Sequence, residues 1–207
     1  NLVGYWNFDE PVETTVFSDV LNNNHGQIYG GAELGHPARF GNGIELLGYA
    51  DSGSDGYVAT APSPFSEGTD EFTLSMWVKL DTHDVNAGGI FSFGFEPDNS
   101  DSAFYLVLQN NRLEIVQDDT VYLTFEDFGT DAYLLNEWNN FVLTGTASES
   151  NGRWFDLELF VNGISENIGY LPLGMGVNWN LYFGSESTGN VIDGKIGNKE
   201  TWFAPTS

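Results

Sequence analysis

The chain has no cysteine, which excludes disulfide scaffolds, zinc–thiolate sites, iron–sulfur clusters and thiol nucleophiles together. It is poor in positive charge as well: 6 Lys and Arg stand against 30 Asp and Glu, for a net charge of -24. Such a surface repels nucleic acid and anionic membranes, so neither is expected as a partner. No apolar run approaches the ~18 residues of a spanning helix, so no membrane insertion is expected. The opening NLVGYWNFDE lacks the basic flank and apolar stretch of a secretory signal. Helical periodicity with caps is also missing.

What is present is apolar and aromatic. Of the 207 residues 41% are hydrophobic and 15% aromatic, enough to fill a core that a disordered acidic tail could not build. Apolar residues recur at period two in FTLSMWVKL (72–80), AFYLVLQ (103–109), RLEIVQ (112–117), NNFVLTGTA (139–147) and WFDLELFVNG (154–163), the pattern of half-buried strands. Clusters such as NNNHGQ, PDNSDS, SESNGR and VNG supply the turn residues between them. Short strands in hairpin succession predict an all-β, antiparallel two-sheet jelly-roll sandwich. No linker or repeat divides the chain, so residues 1–207 are expected to form one domain. Trp6 and Phe8 alternate with Asn7 and Asp9 from the start, which predicts a strand there and a domain excised from a larger extracellular protein.

The ordered motifs resemble the laminin-G-like, concanavalin A-like lectin/glucanase (pentraxin-related) family along essentially the whole chain. The resemblance is carried by LVGYWNFDE (2–10), SDVLNNNHGQIYGGAEL, GNGIELLGYADSGSDGYVAT, FTLSMWVKLD (72–81), the hairpin LLNEWNNFVLTGTASESNGRWFDLELFVNGI (134–164), and LYFGSES followed by IDGKIGNKETW (192–202). It implies the jelly-roll fold and an inward Trp on the strand 72–81. Both Trp77 and Trp138 are accordingly expected in the core. Asn162-Gly163 fits a primed hairpin turn, with positive φ at both positions.

Catalysis is not expected. Hydrolases of this fold resemble one another through three carboxylates on one strand face, whereas here Asp156 and Glu158 are flanked on their face by Trp154 and Phe160. No nucleophile elbow is visible, and His25, His36 and His83 read as isolated, without metal-ligand spacing.

Calcium takes oxygens from carboxylates, amides and carbonyls, which acidic loops rich in Gly and Asn provide. By the family resemblance, Asp19 in DVLNNNHG is expected as a structural calcium ligand, with Asn24 and with Asp9 or Glu10 from the neighbouring strand. Relatives place an acidic residue after the Gly-x-Ile step. This chain has Gly197 and Asn198 there, leaving Asn198 or backbone oxygens to substitute. The clusters 51–55 and 98–101 carry oxygen ligands at alternate positions but match no EF-hand loop; both read as solvated turns.

Sugar recognition combines an aromatic face with carboxylates and amides, sometimes with a calcium that takes ring hydroxyls. Trp179 between Asn178 and Asn180, and Tyr49 beside Asp51 and Asp55, are the candidate ligand residues, with Trp154 as a further loop aromatic. The sequence reading is therefore an extracellular, secreted or cell-surface, calcium-stabilised, non-catalytic module that binds carbohydrate or cell-surface glycan. The alternatives are a structural or docking domain of a large bacterial surface adhesin, contacting neighbouring domains of its own chain, and, with less support, a glycan hydrolase.

Overall fold

Period-two alternation gives each strand one apolar and one polar face, and two such sheets bury their apolar faces against each other. The computed structural model describes residues 2–21, 23–46, 56–60, 70–80, 88–94, 104–109, 112–117, 120–125, 137–147, 155–171, 180–183 and 201–204, and every regular element among them is a strand. In chain order these are β1 (Val16–Phe17), β2 (Gly26–Tyr29), β3 (Ala32–Pro37), β4 (Asn42–Leu46), β5 (Tyr57–Thr60), β6 (Glu71–Leu80), β7 (Gly88–Gly94) and β8 (Phe104–Gln109). They continue with β9 (Arg112–Gln117), β10 (Thr120–Phe125), β11 (Trp138–Ala147), β12 (Phe155–Val161), β13 (Ile164–Leu171), β14 (Asn180–Phe183) and β15 (Thr201–Ala204).

One sheet has the order β1-β2-β5-β14-β7-β8-β9-β10, the other β13-β12-β11-β6-β15-β4-β3. Every pairing is antiparallel. The late strands enter the middle of each sheet, β14 between β5 and β7 and β15 between β6 and β4. This is the crossed connectivity of a jelly roll rather than a simple meander. Thr60 completes one such junction: its buried hydroxyl accepts the N–H of Leu181 at 3.2 Å.

Both sheets contribute to one core. Val58, Ile90, Phe91, Leu106, Ile115 and Leu181 come from the first, and Ile44, Leu46, Phe72, Val78, Phe141 and Leu159 from the second. The amino-terminal segment adds Phe8, whose ring lies 5.3 Å from Phe17 and 6.3 Å from Phe183. The β12–β13 hairpin turns through Asn162 (φ 52) and Gly163 (φ 81), the doubly positive turn expected from the sequence. Asn162 also ties the turn to β11, its Oδ1 accepting the Asn140 N–H at 2.9 Å and its Nδ2 donating to Asn139 Oδ1 at 2.8 Å.

Candidate functional site

The faces of β6 and β11 correct one expectation from the sequence. On β6 the core takes Phe72, Leu74, Met76 and Val78, and on β11 it takes Phe141 and Leu143. Trp77 and Trp138 stand on the alternate positions, so they lie on the outer face of the seven-stranded sheet, half-buried. The physical reason is the period of two: Trp77 follows Met76 and precedes Val78, and both neighbours point inward.

Cross-strand register makes this outer face a checkerboard. Trp138 is directly opposite Lys79, and Trp77 directly opposite Asn140, so indole, ammonium and amide groups alternate across two adjacent strands. The turn between β3 and β4, closed by the Ala38 N–H to the Gly41 carbonyl at 3.1 Å, brings a further pair onto this face. Phe40 meets Trp77 edge-on at 6.0 Å, and the Arg39 guanidinium lies 5.4 Å from the Trp77 ring and 5.1 Å from Phe40. Such cation–π distances hold the arginine over the aromatic pair. Arg39 and Lys79 are thus two of the 6 basic residues of the whole chain brought to one surface.

The same face carries a cluster that sequence spacing hides. Glu33 and Glu45 are directly opposite each other on β3 and β4. The His36 Nε2 lies 3.4 Å from Glu33 Oε2 and 3.2 Å from Glu45 Oε2. His36 is therefore not isolated, contrary to the sequence reading. In a regular strand residues i and i+3 face opposite ways. The register shift between Leu34 and His36, with Gly35 at φ +85, reverses the alternation and returns His36 to the side of Glu33.

The expected calcium ligands are distributed differently. Asp19 is 2% exposed, and its carboxylate accepts four backbone N–H groups. Oδ1 takes those of Tyr5 at 2.8 Å and Leu21 at 3.0 Å; Oδ2 takes those of Asn23 at 3.2 Å and Asn24 at 3.1 Å. Burial raises the carboxyl pKa, and the four amide donors outweigh it, leaving the pKa below the ordinary value of 3.8. With four lone-pair positions engaged, this carboxylate does not fit a calcium ligand. Asn24 donates its Nδ2 to the Val3 carbonyl at 2.7 Å. Asp9 accepts the Asn42 N–H and the Asn7 amide, both at 3.0 Å. Glu10 accepts the Ser18 N–H through Oε1 at 2.5 Å, while its Oε2 is buried and has no hydrogen-bond partner among the described residues. Of the four, Glu10 alone shows an oxygen with acceptor capacity buried away from water.

Of the remaining candidates, Asn180 opens β14, whereas Trp179, Asn178, Tyr49, Asp51, Asp55 and Asn198 lie outside the described residues, as do His83 and Trp154. Asp156 and Glu158 share the outer face of β12 with Phe160, as their spacing predicts. Glu158 Oε1 is engaged by the Ser165 hydroxyl at 2.6 Å.

Comparison with known proteins places the chain by family and fold. Residues 52–202 match the family model described as concanavalin A-like lectin/glucanases superfamily. No curated protein sequence matches this chain significantly. Among solved structures it is similar to one described as cell entry of botulinum neurotoxin type C dependent upon interaction with two ganglioside molecules (TM-score 0.64, 14% identity, 97% of this chain and 46% of that one). It is also similar to the binding domain of botulinum neurotoxin DC in complex with SialylT (0.64, 15%, 98% and 46%). The same binding domain in complex with rat synaptotagmin II gives a TM-score of 0.64 at 14% identity over 97% of this chain and 46% of the other. The chain thus spans about half the length of these solved chains, 46% in each case.

Proposed function

We propose that this chain, which belongs to the concanavalin A-like lectin/glucanase superfamily, is a non-catalytic, extracellular binding module whose ligand is carbohydrate. The observation that carries this reading is the outer face of the seven-stranded sheet, where Trp77 and Trp138 alternate with Asn140 and Lys79. An indole face stacks on the C–H side of a sugar ring, while amide and ammonium groups take hydroxyl and carboxylate oxygens. Arg39 and Lys79, two of the chain's 6 basic residues, favour at this face a glycan that itself carries a carboxylate, a sialylated one, against the repulsion of the overall net charge of -24. The ganglioside and SialylT ligands named for the similar toxin binding domains support the same class.

Trp179, Asn178, Asn180, Tyr49, Asp51 and Asp55 stay in this proposal as further candidate ligand contacts on the strength of their sequence. Calcium stays in it as an ion bound away from Asp19, with Glu10 Oε2 as the protein oxygen available to it and Asn198 as the second sequence candidate. Catalysis is disfavoured because Glu158 is engaged by Ser165.

A docking role is the second reading. Leu2, Val3, Val20 and Leu21 are exposed apolar side chains, Leu2 at 68%, of the kind a neighbouring domain covers. The experiment that separates the two is a glycan array of sialylated and neutral glycans probed with the purified domain. Selective retention on sialylated glycans is expected, and a blank array would leave the docking role as the better account.

A further inference from the structure

The Glu33–His36–Glu45 cluster serves neither the core nor the glycan reading. Two glutamates directly opposite each other on neighbouring strands repel, and burial strengthens the repulsion because Glu45 is only 6% exposed. The imidazole Nε2 approaches one oxygen of each glutamate, at 3.4 Å and 3.2 Å, and the three ligand atoms all lie within 4.8 Å of one another.

Those distances have a coordination meaning. A tetrahedron with zinc bonds of about 2.0 Å to nitrogen and oxygen has edges of about 3.3 Å, which is the spacing of Nε2 from each carboxylate oxygen. One nitrogen and two carboxylates make three protein ligands of the types zinc accepts, which would leave a fourth position for water or an incoming oxygen. Glu33, at 56% side-chain exposure, keeps that position open to solvent, while the buried Glu45 gives the set a fixed side. The hairpin supplies the rigidity: Glu33 and Glu45 are held by the β3–β4 ladder, and the bulge at Gly35 turns His36 to meet them.

We propose that Glu33, His36 and Glu45 form a zinc site on the outer face at the β3 edge of the seven-stranded sheet. It is distinct from any calcium site, because calcium prefers an all-oxygen shell whereas the imidazole nitrogen selects a transition ion. The proposal stands independently of glycan binding.

The test is calorimetric titration of ZnCl2 into chelator-stripped protein, in the wild type and in His36→Ala and Glu45→Gln. A single saturable site is expected, weakened in both variants by at least about tenfold, the loss that even an outer-shell partner causes. Cobalt should give the intense visible absorption of a four-coordinate ion, and millimolar calcium should not displace it. Where Glu45→Gln lowers the yield of folded protein, the exposed Glu33→Gln carries the test. Absence of saturable zinc binding would overturn the proposal and leave His36 as a polar bridge between two carboxylates. Zinc affinity unchanged in His36→Ala, or displacement by calcium, would overturn it equally.

Discussion

Tyr5 and Asp19 are clamped from both sides: the Tyr5 N–H donates to Asp19 Oδ1 at 2.8 Å, and the Tyr5 carbonyl accepts the Val20 N–H at 2.7 Å. The carboxylate organises a loop by gathering its amides. Trp6, next in the chain, bridges Asp19 in the backbone and donates its Nε1 to the Asn24 carbonyl at 2.7 Å. One buried side chain thereby fixes the amino-terminal segment whose Phe8 enters the core.

Asp19→Ala removes four charge-assisted hydrogen bonds and leaves their donors unanswered. The expected loss is about 3 kcal/mol, or about 6–12 °C in Tm for a domain of this size. Asp19→Asn should be nearly as damaging, because its amide nitrogen would face N–H donors in place of an acceptor oxygen. Differential scanning calorimetry of the two variants checks this. A Tm within a degree or two of the wild type for Asp19→Asn would show that the carboxylate's charge and second oxygen are dispensable.

The same carboxylate sets a pH dependence. Its folded pKa lies below the unfolded value near 3.8, so its stabilisation is complete above that value and is lost as pH falls through the folded pKa. Urea unfolding across pH 5 to 2 should show stability falling as the carboxyl protonates, with a shallower fall in Asp19→Asn. Equal slopes for the two proteins would contradict the assignment.

Two glycines separate packing from conformation. At Gly26 a Cβ would run into the Phe17 ring and come within 2.7 Å of the Ala59 carbonyl oxygen, so Gly26→Ala should cost about 3 kcal/mol or more. Gly163 has open space around it and φ +81, so Gly163→Ala should cost only about 1 kcal/mol from the backbone conformation. Chemical denaturation of both variants tests the ordering, which a reversed result would refute.

Calcium binding, if it involves the amino-terminal segment, should depend on Glu10 and not on Asp19. Calcium titration should lose affinity in Glu10→Gln, whose neutral amide binds a hard cation poorly. The Tm difference between calcium-loaded and chelated protein should persist in Asp19→Ala. Its disappearance in Asp19→Ala alone would restore Asp19 as a ligand.

Most strands and the Asn162-Gly163 turn were readable because both depend on local chemistry, period-two alternation and tolerance of positive φ; the strand expected at Trp6 and Phe8 is instead irregular, with Phe8 at φ 53 and one isolated bridge from Trp6 to Asp19. The faces of the tryptophans were also encoded, since Phe72, Leu74, Met76 and Val78 make the apolar set on β6. The pull of a large aromatic toward the core obscured that signal at Trp77. His36 was hidden for another reason: its place beside Glu33 depends on a bulge, and its place beside Glu45 on strand register. Asp19 was recognisable as a special carboxylate. That its carboxylate gathers backbone amides depends on Tyr5, which arrives from 14 residues away.

Titration calorimetry with a sialylated oligosaccharide tests glycan binding at the outer face around Trp77 and Trp138. Trp77→Ala and Trp138→Ala should each weaken binding by about tenfold or more. Both should stay folded, losing less stability than Phe141→Ala, whose core deletion is expected to cost about 3–5 kcal/mol. Unchanged affinity in both tryptophan variants, with affinity lost in Trp179→Ala, would contradict the account and move the site to the loops.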